Sequence, residues 1–369
     1  MLNVVFRADA SIEIGSGHVM RCLTLADQLQ RAGAECQFIC RGHSGNLMEY
    51  IRSKGYKVHS LPVVRATTPL ENNESTTHAH WLGSTWQEDA AQCAAVLIGL
   101  TPDWLIVDHY ALDLAWETSL RAHCKHLGAI DDLADRRHIA ELLIDQSLDR
   151  SAAEYHGLVP DSCTLLTGSH YALLRPEFSQ WRQASLKRRT NPSVENVLVN
   201  LGGVDKDNIT GRVITGLEGS SLDNSCQITV VMGGTAPHLK TVTRQALTSR
   251  FDIDVKVGVS NMAELMANAD LAIGAAGSTT WERCCLGLPS IMIVLADNQR
   301  FIALRLQERQ IAKIVNSVSD DFESTLAAHI DTLDTDMLRS MSEISRTVTD
   351  GSGVASVATL IRNRADTNA

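Results

Sequence analysis

His18 follows directly on a glycine-containing loop, in the run Arg7-Ala8-Asp9-Ala10-Ser11-Ile12-Glu13-Ile14-Gly15-Ser16-Gly17-His18. Gly15 and Gly17 let backbone approach a ligand closely, and the helix expected after them turns free N–H groups and a positive dipole end toward an anion. A neutral imidazole base suits such a helix start. A lone histidine there also reads as a cap or a surface residue. Arg7, Asp9 and Arg21 weigh toward chemistry, because they gather charge around an otherwise apolar strand end. Asp108-His109-Tyr110 closes another apolar run, at the kind of strand end where parallel sheets place ligand and catalytic groups. Asp108 could equally cap the next helix, with Tyr110 packed beneath it. Asp131-Asp132 repeats the arrangement one strand later with the same two readings, and a carboxylate near His18 would orient its ring.

The second half carries a different kind of signal. Gly202-Gly203 and Gly233-Gly234-Thr235 each follow a β-branched run, and Gly277-Ser278-Thr279 opens a helical stretch after a third. One such turn is ordinary geometry; three at one sheet edge fit a phosphate-sized ligand better. Glu282 falls one helical turn beyond Ser278, where a carboxylate suits the diol of a ribose. A capping serine and a solvated glutamate explain these residues singly, not together. No GxxxxGK[ST] loop, GxSxG elbow or HExxH pair occurs, the GxG near the start lacks the third glycine of a dinucleotide fingerprint, and no metal site is expected.

Strands alternating with helical periods position these groups. Asn3–Phe6, Cys36–Cys40, Trp104–Val107, Leu127–Ile130 and Leu142–Ile144 read as strands of the first half, and 18–32 as its first helix. Val197–Leu201, Ile228–Met232, Leu271–Ile273 and Ile291–Leu295 read as strands of the second. The pattern implies an α/β protein of two Rossmann-like doubly wound domains facing a cleft. The expected division is 1–182, a polar linker over 183–195, 196–350, and a C-terminal helix and tail over 351–369; the polar stretch 64–85 reads as a long loop.

The 369 residues suffice for two cores, and 44% hydrophobic with 21% charged residues excludes wholesale disorder. A net charge of −10 without a basic stripe, and only 5% aromatics, exclude a nucleic-acid binder. Nine cysteines without a CxxC pair imply reduced thiols, and the start reads as a strand rather than a signal peptide. Leu286–Ala296, the longest apolar stretch, contains Pro289 and is too short to span a bilayer. A cytoplasmic monomer without membrane contact is expected.

The second half, with its Met262-Ala263-Glu264-Leu265-Met266 helix and the run from Gly277 to Glu282, resembles the donor-nucleotide domain of GT-B glycosyltransferases. The first half is more specific. Arg7-Ala8-Asp9-Ala10, Ile14-Gly15-Ser16-Gly17-His18, Arg21-Cys22-Leu23, Val107-Asp108-His109-Tyr110, Ile130-Asp131-Asp132-Leu133 and Leu174-Arg175-Pro176 resemble the UDP-sugar hydrolases of pseudaminic acid biosynthesis. That resemblance implies cofactor-free and metal-free hydrolysis of a UDP-linked 2,4-diacetamido-2,4,6-trideoxy hexose at the anomeric carbon, with His18 activating water. Asp108 and Tyr110 would line the sugar pocket with Arg7, Asp9 and Arg21 nearby. Gly15, Gly17, Gly203, Gly233, Gly234, Thr235, Ser278 and Thr279 would meet the pyrophosphate. Glu282 would hold the ribose, Met262 would flank the uracil, and Asn298 would contact sugar or phosphate. The rivals are a glycosyltransferase using the same donor, a hydrolysing UDP-sugar 2-epimerase, and a sensor that binds the nucleotide sugar intact.

Overall fold

The computed structural model describes residues 1–63, 78–296 and 299–367. The chain divides into two units, Met1–Leu173 with Gly353–Ala369, and Leu174–Ser352. In the first, seven strands form one all-parallel sheet: β1 (Asn3–Ala8), β2 (Glu35–Arg41), β3 (Lys57–Leu61), β4 (Trp104–Asp108), β5 (His126–Ile130), β6 (Leu142–Asp145) and β7 (Thr164–Thr167), in the spatial order β3-β2-β1-β4-β5-β6-β7. The helices between them are α1 (Gly17–Arg31), α2 (Met48–Ser53), α3 (Trp86–Ile98) and α4 (Leu114–Leu120). Every residue of β4, β5 and β6 is buried, as expected of strands covered on both faces.

The second unit opens with α5 (Pro176–Arg188) and builds six parallel strands: β8 (Asn196–Asn200), β9 (Gln227–Met232), β10 (Asp252–Val257), β11 (Leu271–Ala275), β12 (Ser290–Val294) and β13 (Ala312–Asn316), ordered β10-β9-β8-β11-β12-β13. Its further helices are α6 (Ile209–Glu218), α7 (Leu239–Ala246), α8 (Met262–Asn268), α9 (Thr279–Cys285), α10 (Arg300–Glu308), α11 (Phe322–Asp331) and α12 (Thr335–Ser345). In each sheet the strand order reverses once, between β1 and β4 and between β8 and β11. Ligands of doubly wound sheets bind at such reversals, outside the carboxyl ends of the strands.

Two boundaries differ from the sequence reading. The polar stretch from 183 is not a linker: Gln183 to Arg188 continue α5, Ser185 is buried and its Oγ donates to Leu286 O at 2.7 Å. Arg189 follows, also buried, and donates to the carbonyls of Met266 (3.0 Å) and Ala269 (2.9 Å) at the end of α8. Buried polar atoms that bond into a packed helix end are invisible to a test for apolar periodicity. The C-terminal helix expected within 351–369 is present as α13 (Gly353–Thr367), but it is not a separate segment, because it belongs to the first unit. Val354, Val357, Ala358 and Ile361, spaced as one helical face, are buried in the same core as Val19, Cys22 and Ala26 of α1. Trp104 Nε1 donates to Ile361 O at 3.1 Å. Of the 64–85 stretch, 64–77 lies outside the described residues; Ala79–Leu82 form a 3-10 turn, and Thr85 with Glu88 makes a capping box at the start of α3.

Candidate active site

The β1–α1 loop folds on itself before the helix begins. Ser11 Oγ accepts from the amides of Glu13 and Ile14, Gly15 N donates to Ser11 O at 2.9 Å, and Gly15 takes a φ of 78° that favours glycine. This turn delivers His18 to the first turn of α1 and Arg21 one turn further on. Both point at Asp108, the last residue of β4, across the reversal of the sheet. His18 Nδ1 lies 2.6 Å from Asp108 Oδ1; Arg21 Nε donates to Oδ2 at 2.6 Å and its Nη2 to Oδ1 at 2.7 Å.

Asp108 is wholly buried. Burial would raise its carboxyl, but the Arg21 charge and His18 hold it well below the usual carboxylate range. An ionised carboxylate only accepts, so His18 Nδ1 donates to it, and Nε2 is the ring nitrogen left for another partner. Arg21 Nη1 reaches on to Asp132 Oδ2, which also accepts from the Tyr110 hydroxyl at 3.0 Å. Tyr110 turns its ring edge-on to His18, with centroids 4.5 Å apart. Burial, and then the Asp132 charge, push its hydroxyl well above the ordinary tyrosine value, so the phenol stays a donor.

Behind this layer lies another that sees no solvent. Arg7 Nη1 and Nη2 bind Asp9 at 2.6 and 2.8 Å, and Arg7 Nε and Nη2 bind Asp89 of α3 at 3.2 and 2.7 Å. Arg41 Nη2 shares Asp89 at 2.6 Å, and Trp116 Nε1 donates to it at 2.9 Å. Asp9 Oδ1 also accepts from Arg41 N at 2.6 Å. Arg7, Asp9, Arg41 and Asp89 are all completely buried. Arg7 and Asp9, expected from the sequence to meet substrate, therefore have no surface to offer it; they fix the carboxyl ends of β1 and β2. Asp131, also fully buried, accepts from Tyr155 Oη at 3.0 Å and pairs with Arg136 at 2.8 Å, a supporting role as well. Asp145 shares Tyr155 Oη at 2.8 Å. Burial, together with the charge of Asp132, raises Asp145 to about 6 against the pull of Arg150.

Sequence reasoning missed Asp89 and the role of Asp132. The signal for Asp89 was present: it falls on the buried stripe Asp89, Ala90, Cys93, Leu97 of α3, where an acid must find buried cations.

The second reversal is built from backbone and small groups. Gly202 and Gly203, after β8, and Gly234 and Thr235, after β9, are exposed. A Cβ on Gly233 would stand 2.0 Å from Gly203 O, so the two strand-end loops touch only because no side chain intervenes. Gly277 is half-buried, Ser278 is exposed and its hydroxyl makes no capping bond, and Thr279 opens α9. Glu282 lies inside α9; burial raises its carboxyl, partly offset by Arg175, whose Nη2 lies 3.6 Å from Oε1. Arg283 on the same helix is buried and donates to Ala275 O at 2.7 Å, bracing the loop from within. Met262 begins α8, half-buried. Asn298 lies outside the described residues. Among the described residues no group of three or more His, Cys, Asp or Glu side chains is arranged to hold a metal ion. No described helix is long and apolar enough to cross a membrane.

Two doubly wound parallel units of this kind define a GT-B fold protein. Residues 201–359 match the Glycosyltransferase family 28 C-terminal domain. The crystal structure of MurG from Acinetobacter baumannii superposes with a TM-score of 0.69 at 16% identity, covering 98% of this chain and 100% of that one. The UDP-2,4-diacetamido-2,4,6-trideoxy-β-L-altropyranose hydrolase of Campylobacter jejuni is 24% identical over 310 residues, 84% of this chain and 97% of that protein. The resemblance seen in the sequence motifs thus extends over most of the chain. An uncharacterised protein of Methanocaldococcus jannaschii is also 24% identical, over 305 residues; they are 81% of this chain, which spans 57% of that relative's length.

Proposed function

We propose that this chain hydrolyses a UDP-linked 2,4-diacetamido-2,4,6-trideoxy hexose at its anomeric C–O bond, releasing UDP and the free sugar with inversion, without a metal ion, as a step of pseudaminic acid biosynthesis. One observation carries the reading: a histidine at a sheet reversal whose Nδ1 is held by an ionised, arginine-paired aspartate. Nε2 takes a proton from water as the water oxygen bonds to the anomeric carbon. The anomeric C–O bond breaks with its electron pair leaving on the UDP oxygen. Attack on the face opposite UDP inverts the centre, as in inverting glycosidases.

Asp108 keeps the ring in the right tautomer and stabilises the imidazolium that forms. The nucleotide falls to the second reversal, with amides of the Gly203, Gly233-Gly234 and Gly277-Ser278-Thr279 loops on the diphosphate and Glu282 on the ribose diol. UDP leaves as a stable anion, so donors aimed at its charge serve where a general acid would otherwise be needed. Supporting the reading are the curated hydrolase that aligns along most of the chain and the matched glycosyltransferase domain. The test is proton and phosphorus NMR with that sugar nucleotide in D2O containing EDTA and no acceptor. Expected are UDP and initially one anomer of free sugar, without deuterium at C2. Deuterium at C2 would point to epimerase chemistry, and an intact substrate to a transferase or sensor.

A further inference from the structure

The ring cluster at Tyr110 contains an indole that the hydrolysis reading leaves unused. Trp81 lies on the 3-10 turn Ala79–Leu82, whose Leu82 alone is buried, in the core beneath α3. The Trp81 ring stacks on Tyr110 with centroids 5.8 Å apart and 26° between the planes. His78 packs against both, 4.5 Å from Trp81 and 5.5 Å from Tyr110. The His18 ring stands 6.4 Å from the indole.

Trp81 is half-buried and, among the described residues, is not part of the two apolar clusters that hold the buried residues of β1, β4 and α3. Its stacking partners include Tyr110, edge-on to the proposed base, so it is held at the site rather than spent on the interior. Tryptophan has the largest apolar face of any side chain, and the part of it left open beside the proposed base is surface that the C–H face of a ligand can cover.

We propose that Trp81, with His78 beside it, forms the wall of the sugar subsite and takes the apolar side of the substrate's pyranose ring. This rests on the hydrolysis reading for the identity of the sugar. A 2,4,6-trideoxy hexose with two acetamido groups replaces three hydroxyls by one methyl and two methyl-bearing amides, so it presents more C–H surface than an ordinary hexose. An indole face offers no partner to a C6 hydroxyl, and burying that group unpaired is unfavourable. The wall therefore sets preference for the 6-deoxy sugar, while the Tyr110 hydroxyl and the Asp132 carboxylate it bonds supply polar contacts.

The test is titration calorimetry of UDP and of the UDP-linked diacetamido sugar in a His18→Ala background, where turnover is slow. The sugar nucleotide should bind more tightly than UDP. Trp81→Ala should lower its affinity about tenfold, the size of one well-placed aromatic contact. UDP affinity should stay unchanged, and Trp81→Phe should restore most of the loss. Equal binding of UDP and sugar nucleotide by the parent, an unchanged sugar-nucleotide affinity in Trp81→Ala, or an equal loss for UDP would each overturn the proposal. Should Trp81→Ala melt early, Trp81→Leu gives the same comparison. If the native chain releases no UDP while the Trp81-dependent gain persists, the hydrolysis reading fails and the wall stands.

Discussion

The two sheet reversals of this chain are topologically alike and chemically opposite. At the first, the strand ends carry a dense array of acidic, basic and imidazole side chains: His18, Arg21, Asp108 and Asp132 at the front, Arg7, Asp9, Arg41 and Asp89 behind. At the second, the corresponding ends carry Gly203, Gly233, Gly277 and Ser278, and their polarity is that of backbone amides. Side chains give proton transfer and precise orientation, but each buried charge has to be matched or it destabilises the fold. Amides at strand ends bind an anion without that liability and cannot move a proton. In the proposed reading, the side chains of the first reversal move the proton and the amides of the second meet the diphosphate.

The comparison breaks first at Asp89. Asp89→Ala leaves Arg7 and Arg41 buried without their shared carboxylate and should destabilise the first unit by about 3–5 kcal/mol. Chemical denaturation followed by hydrogen exchange should show the loss in peptides of β1, β2 and α3 and none in β8 or β11. A uniform loss, or none, would mean that the charge array is not a local support. Next comes His18→Ala, expected to lower turnover at least about hundredfold with little change in UDP affinity. Activity that survives this change would move the base elsewhere.

Glu282→Ala should do the reverse, weakening UDP about tenfold by calorimetry while the first unit's stability is untouched; unchanged affinity would end the ribose assignment. The smallest effect is a dependence on pH. Asp9 and Asp108 have folded-state values below their unfolded ones, Asp9 through Arg7 against the effect of burial. Their contribution is full above the ordinary aspartate range and is lost as pH falls through and below it. Asp145, raised to about 6, has the opposite sign: its contribution is present at low pH and fades as pH rises from about 4 through 6. Asp145→Asn should remove the second trend and leave the first. A titration of stability from pH 3 to 7 separates them.

Much of this was legible without coordinates. Parallel strands announce themselves as short β-branched runs ending in glycine or acid, because burial on both faces leaves no polar position inside them. That rule placed β1, β4, β5, β8 and β11, and with them His18, Asp108, Tyr110 and the glycine turns. It failed at β3 and β13, on which Lys57, His59 and Lys313 interrupt the apolar run. It also failed for α5, whose polar face bonds into the second unit.

The residue types and their order along the chain decided by themselves that there are two doubly wound sheets and which strand ends carry acid, imidazole or glycine, since those follow from local periodicity and turn chemistry. Only the tertiary structure decided that Asp108 faces His18 and Arg21, that Arg7 and Asp9 are sealed behind them, that Trp81 stacks on Tyr110, and that α13 returns to the first unit. Each of these is a pairing across many positions of sequence, selected by burial and by the need to match every buried charge. No local pattern records which partner will be there.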